Sequence, residues 1–132
     1  MRPTVRFMVV LSVAALLSMG TSANHQTAQL HRIMQKKLGH SQAILGAVVT
    51  SNWTVLDKES RALALAVRDP AWGFALTEPE YLRQSDAFSR ALQDLIEASA
   101  KRDLEAAANA HIALTTSCVG CHMHMTRRRL AK

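Results

Sequence analysis

The stretch SDAFSRALQDLIEASA, at residues 85–100, decides the fold. Its apolar and small residues recur every three or four positions, at Phe88, Ala91, Leu92, Leu95, Ile96 and Ser99. This spacing predicts an amphipathic α-helix, with Ser85 as its N-cap. Such a helix has to bury its apolar face against other elements of the same chain.

Three more segments have the same periodicity, and the first covers residues 26–49. Its stripe is Leu30, Ile33, Met34, Leu38, Ser41, Ile44, Leu45 and Val48. A second helix is predicted at 54–68, with a capping box from Thr54 to Asp57, and a fourth from Asp103 to about residue 126. Short links within the first and last helix pairs favour antiparallel neighbours. The sequence therefore predicts an all-α, antiparallel four-helix bundle.

The N-terminus differs from this amphipathic pattern. A basic start precedes the apolar run at residues 7–17, and the small residues Thr21-Ser22-Ala23 follow. This order is typical of a secretory signal peptide, and the run is shorter than the roughly 20 residues of a membrane span. We expect residues 1–23 to be removed and residues 24–132 to form one periplasmic domain with no membrane attachment. An uncleaved N-terminal anchor is the alternative.

Cys118-Val-Gly-Cys121-His122 is the one strong motif in the chain. C-x-x-C-H is the haem attachment pattern of c-type cytochromes. Residues three apart share a helix face, so both thiols can form thioethers at one edge of a haem while His122 binds the iron. Gly120 leaves room for close approach of the macrocycle. The motif predicts one covalent haem c held by Cys118, Cys121 and His122.

Two other uses of the cysteines stay open. A C-x-x-C pair can be a thiol–disulfide motif, although that usually accompanies a βαβ pattern. The pair could also bind zinc together with His122 and His124, although four ligands within seven residues are crowded compared with usual zinc sites. Both alternatives describe a non-haem metal- or thiol-binding helical protein.

A C-terminal C-x-x-C-H in a four-helix chain resembles the cytochrome c′ family, the class II cytochromes c. The resemblance covers the layout of residues 24–132, and only the motif itself is specific. In the low-spin branch a methionine of the first helix closes the sixth position of the iron, and the protein transfers electrons. Met34 lies at a similar place, so the resemblance implies Met34 as the second iron ligand. Those relatives often have an arginine four residues earlier, where this chain has Leu30.

The resemblance also implies alternatives at the iron. In cytochromes c′ proper an apolar residue covers the sixth position, and the five-coordinate iron binds NO or CO. His31, close to Met34 on the same helix, could instead give bis-histidine iron. Relatives often dimerise through their first two helices, which implies a homodimer here.

The charge of the chain bears on its partners. Its formal net charge is +6, and three arginines stand together at residues 127–129. Export argues against a nucleic-acid partner, so this cluster is either solvated or steers acidic redox partner proteins. We recognise no catalytic acid, base or nucleophile in the sequence, and we expect an electron carrier rather than an enzyme.

Overall fold

The computed structural model describes residues 3–67 and 78–130 of the chain. These residues form four α-helices and no strand: α1 is Pro3–Val49, α2 is Trp53–Ala66, α3 is Pro79–Lys101 and α4 is Leu104–Leu130. The protein is an all-α four-helix bundle, as the sequence predicts. The chain divides into two compact units, residues 1–34 and 35–132.

The first unit contains the N-terminal part of α1, which is helical from Pro3 onward. His25 and His31 are exposed on this helix, and Met34 is half-buried at its end. Within the residues that the structure describes, no helix combines the length and apolarity that crossing a membrane requires. The predicted signal peptide at residues 1–23 stays a prediction.

The second unit holds the hydrophobic core. Helix α3 packs against both α2 and α4, and residues 44–48 of α1 join the same cluster. The completely buried large apolar side chains come from all four helices: Ile44, Leu56, Leu63, Leu92, Leu95 and Leu114. The stripe predicted for residues 85–100 faces this core, because Phe88, Leu92 and Leu95 are buried. Leu38 and Leu45 of α1, predicted to face the core, are about half exposed.

The turns after α1 and α3 have the same backbone conformation, followed by the same kind of helix cap. Ser51 and Arg102 adopt positive φ angles of 53° and 54°, which reverse the chain at a steric cost for a residue with a side chain. The next residue then caps the following helix. Asn52 accepts a bond from the amide of Val55 at 3.2 Å, and Asp103 accepts one from Ala106 at 3.0 Å. Each turn is therefore closed locally, which keeps both helix pairs close in space.

One predicted helix start and one predicted capping box are wrong. α3 begins at Pro79 rather than Ser85, because proline fits the first helical turn, where its missing N–H leaves no bond unmade. α2 begins at Trp53 and is capped by Asn52, so the capping box predicted at Thr54 does not form. The predicted start of the last helix directly after Asp103 is confirmed. Residues 68–77, between α2 and α3, lie outside the described residues.

Candidate functional site

Helix α4 continues without interruption through the C-x-x-C-H motif, even though the residues before it are polar. The hydroxyls of Thr115, Thr116 and Ser117 donate to carbonyl oxygens three or four residues earlier, at 2.7–3.0 Å. These local bonds satisfy the hydroxyls without breaking the helical ladder. Cys118 and Cys121 therefore have helical spacing, which places both sulfurs on one side of α4.

Both cysteines are free thiols and half-buried. Cys118 packs against the core cluster that contains Phe88 and Leu114. Burial raises the pKa of the Cys118 thiol and of the Cys121 thiol, because the thiolate loses hydration in an apolar setting. Burial therefore favours the neutral, protonated form of both thiols.

Lys37 of α1 is the charged group that acts on both thiols. Its positive charge lowers the pKa of Cys118 and of Cys121 and so offsets part of the effect of burial. Its Nζ lies 4.0 Å from the centre of the Phe88 ring, a cation–π geometry. Burial in turn lowers the pKa of Lys37, with the two cysteines acting in the opposite direction. No motif or spacing in the sequence predicts a role for this lysine.

Gly120, between the two cysteines, faces α3. A Cβ built at this position would lie 2.6 Å from Gln84 Oε1 and 2.9 Å from its Nε2. The Gln84 amide is held there by a bond from its Nε2 to Glu80 Oε1 of 2.8 Å. In this structure the glycine admits the Gln84 side chain of the neighbouring helix, in the space that the motif predicts for a macrocycle.

An open groove lies beside the motif on α4, with a volume of about 520 Å³. Its lining residues are Cys118, Val119, His122, Met123, Thr126 and Arg127. Most of the lining is apolar, and Val119 and Met123 are about half exposed. This volume falls within the usual range of roughly 300–1,000 Å³ for small-molecule and cofactor sites. The His122 ring is exposed at this groove, next to Cys118 one helical turn earlier.

Beyond the motif, a single carboxylate joins the start of α3 to the last turns of α4. Glu78 Oε2 lies 3.0 Å from His124 Nε2, and Glu78 Oε1 lies 2.7 Å from the Arg128 guanidinium. His124 is therefore engaged with an acid on another helix, although the zinc interpretation required it as a metal ligand. Neither contact is local in sequence, so no spacing pattern predicts them.

The other methionine and histidine candidates lie on α1 and α4. Met34 and His31 lie on α1 within the first unit, and their role at the iron stays a prediction. His40 Nδ1 lies 2.7 Å from Glu59 Oε2, so this histidine is engaged with an acid of α2. His111 is different, because its Nε2 is buried with no hydrogen-bond partner among the described residues.

Comparison with known proteins finds no relative of this chain. No protein-family model, curated protein or solved structure matches this chain. Across residues 3–67 and 78–130, no three His, Cys, Asp or Glu side chains form a group that could hold a metal ion by themselves.

Proposed function

We propose that this chain is an exported, monohaem c-type cytochrome that carries electrons. Cys118 and Cys121 would hold the haem covalently, His122 would be the proximal iron ligand and Met34 the distal one. The observation that supports this best is a pair of free thiols on one side of α4, with His122 exposed at an adjoining apolar groove. A C-x-x-C-H sequence on such a helix is the attachment pattern of c-type haem.

The residues present fit this group. The thiols are free of each other, so neither needs to be reduced before it bonds to a vinyl carbon. The groove beside Cys118 and His122 has the volume of a cofactor site and apolar walls. Gln84 fills the space at Gly120 with the flexible end of its side chain, which can move aside when a macrocycle approaches.

Each part of the site has a role in electron transfer. When bound, haem c supplies an iron that takes up and releases one electron. His122 and Met34 would set its ligation, and methionine–histidine ligation favours the reduced form. The apolar core against which Cys118 packs would limit the access of water on that side of the bound group, which reduces the reorganisation that a change of charge requires.

The charge of the chain supports a docking role for the end of α4. Arg127 lies at the groove, and Arg128 is bound to Glu78. A positive rim next to the motif would orient acidic redox partner proteins before contact. Periplasmic location follows from the predicted signal peptide, and we propose no nucleic-acid partner and no enzymatic reaction.

The optical spectrum of protein matured in the periplasm tests this proposal. We expect a covalent haem spectrum, low-spin in both oxidation states, and no carbon monoxide adduct of the reduced form. High-spin iron that binds carbon monoxide would instead identify the five-coordinate, gas-binding alternative. A colourless protein would favour the metal- or thiol-binding alternative.

The distal ligand has its own test. In the Met34→Ala variant we expect the spectrum to become high-spin and carbon monoxide to bind, because an axial ligand is lost. Met125→Ala serves as the matched control, since this methionine is also half-buried but lies on α4 after the motif. An unchanged low-spin spectrum in Met34→Ala would exclude Met34 as the ligand.

A further inference from the structure

Helix α4 has a second apolar face in addition to the one that packs in the core. Its core face includes the buried residues Ala107, Ala110 and Leu114. Four large apolar side chains lie on the opposite side of the helix and are 49–83% exposed: Ile112, Val119, Met123 and Leu130. Scattered exposed apolar residues are ordinary, whereas a continuous row along one helix face marks an interaction surface.

This row has the spacing of a coiled-coil seam. Together with the exposed Thr116 and Thr126 it advances in alternate steps of four and three residues, and we call these six positions the outer seam. Steps of that kind average about 3.5 residues per turn, the period at which two helices keep one face in contact along their length. From residue 112 to residue 130 the outer seam is about 27 Å long, since each helical residue advances about 1.5 Å. A long helix is therefore the partner that this face fits.

The order of residues in the outer seam favours a second copy of α4 as that helix. The order is large, Thr, large, large, Thr, large, and it is the same in both directions. In two antiparallel copies related by a twofold axis at residue 121, Ile112 lies opposite Leu130 of the second copy. In the same register Val119 lies opposite Met123 of the second copy, and each threonine lies opposite a threonine. A twofold interface requires this self-complementarity, because one patch supplies both sides.

Charge favours the same antiparallel orientation. Residues 112–130 contain no Asp or Glu, and the exposed Arg127 flanks the outer seam. Parallel copies would hold both Arg127 side chains at one level of the seam, where like charges repel. Antiparallel copies separate them by about 18 Å along the helices, which is beyond the Debye length of roughly 8–10 Å at moderate salt.

The groove beside the motif is open on this same face. All six of its lining residues belong to α4, so one chain supplies only one side of it. A cofactor or small-molecule site normally encloses most of its ligand. A second helix along the outer seam would supply the missing side.

We infer that two copies of this chain associate through the outer seam of α4, as an antiparallel, twofold dimer in which each copy borders the open side of the groove. This surface differs from the first two helices, which the resemblance implies as the dimer interface. The pairing itself requires no haem, so a failure of the proposed function would leave it standing.

Sedimentation equilibrium of the full chain tests the inference, with variants at the two ends of the outer seam and away from the groove. We expect the natural chain to have the mass of two copies. Ile112→Lys and Leu130→Glu should each weaken the association at least about tenfold, because each places a charge against an apolar side chain of the second copy. Both positions are exposed, and circular dichroism should show unchanged helix content.

The double variant Ile112→Lys/Leu130→Glu tests the orientation. In antiparallel copies the two introduced charges lie face to face with opposite sign at both ends, so the double variant should associate more tightly than either single variant. Within one chain the two positions are about 27 Å apart, so the charges cannot pair there. Leu65→Lys is the matched control, since this leucine is also exposed but lies on α2, and it should leave the dimer intact.

A natural chain that stays monomeric at every concentration would overturn the inference. So would a double variant that associates more weakly than both single variants, because that result indicates parallel helices. Dissociation by Leu45→Lys, on the exposed side of α1, with the α4 variants still dimeric, would place the interface on the first helices instead. A colourless protein that still dimerises would contradict the proposed function alone.

Discussion

Substitution of Gly120 by alanine should show whether the motif glycine serves helix packing as well as the proposed haem attachment. In the haem-free chain a new Cβ would lie 2.6–2.9 Å from the end of the Gln84 side chain, closer than ordinary van der Waals contact. Gln84 must therefore move, and its 2.8 Å bond to Glu80 breaks. Loss of that hydrogen bond costs about 0.5–1.5 kcal/mol of stability. Replacement of glycine by alanine within a helix stabilises the helix by about 1 kcal/mol.

These two effects nearly cancel, so Gly120→Ala alone should change the free energy of unfolding by less than about 0.5 kcal/mol. In a Gln84→Ala background the opposing group is absent, and Gly120→Ala should then stabilise by about 1 kcal/mol. The difference between the two backgrounds is the coupling energy of the pair. Urea denaturation followed by circular dichroism measures it, provided that the m-value stays constant.

Gly39→Ala is the control for this double-mutant cycle. A Cβ at Gly39 meets nothing within 4 Å, so alanine should stabilise by about 1 kcal/mol in both backgrounds. The reasoning is refuted if Gly120→Ala stabilises the natural chain as much as Gly39→Ala does. That result would mean that Gln84 does not occupy the space beside the motif.

Three other perturbations test the fold and the end of α4. Leu95 is fully buried, so Leu95→Ala should lower the free energy of unfolding by about 2–5 kcal/mol in urea denaturation, whereas Leu65→Ala, at a position 66% exposed, should change it little. Glu78→Gln removes the charge that binds two basic side chains of α4. Amide hydrogen exchange should therefore become faster at residues 124–130, while residues 104–115 keep their protection. Unchanged exchange at residues 124–130 would show that the Glu78 ion pairs do not stabilise the end of α4. The bond from Arg61 lowers the pKa of Asp57, so its contribution to stability is present at neutral pH and is lost as the pH falls through that lowered pKa. Asp57→Asn should thus destabilise by less than about 1 kcal/mol at pH 7 and by progressively less as the pH falls through the lowered pKa of Asp57. A series of denaturation curves from neutral to acid pH measures this, and a difference that did not shrink with falling pH would argue against the ion pair.

The sequence was sufficient for the helices because their apolar spacing is local. The stripe at residues 85–100 predicts the buried face of α3, and Asp103 predicts the start of α4. The predicted start of α3 at Ser85 lies too late, because Pro79 resembles a loop residue unless its tolerance at a first helical turn is considered. The spacing of Leu38 predicts a core position, but the position of the neighbouring helices leaves it about half exposed.

The candidate site also has one part that the sequence predicts and another that it does not. The motif identifies Cys118, Cys121 and His122 because their spacing alone brings them together. Lys37 could not be found from spacing, because a lysine on an amphipathic helix is normally solvated and only tertiary packing places it against Phe88. The Glu78–His124 contact joins residues 46 positions apart, and no local sequence pattern predicts it.

The mass and colour of the protein after export and denaturation test the central proposal most directly. Material matured in the periplasm should carry the mass of one haem beyond that of the polypeptide, and the colour should stay with the chain after acid-acetone extraction. The double variant Cys118→Ser/Cys121→Ser should lose both properties. If the natural protein has the mass of the polypeptide alone and gives up all colour on extraction, the thiols do not bind haem and the proposed electron carrier is contradicted.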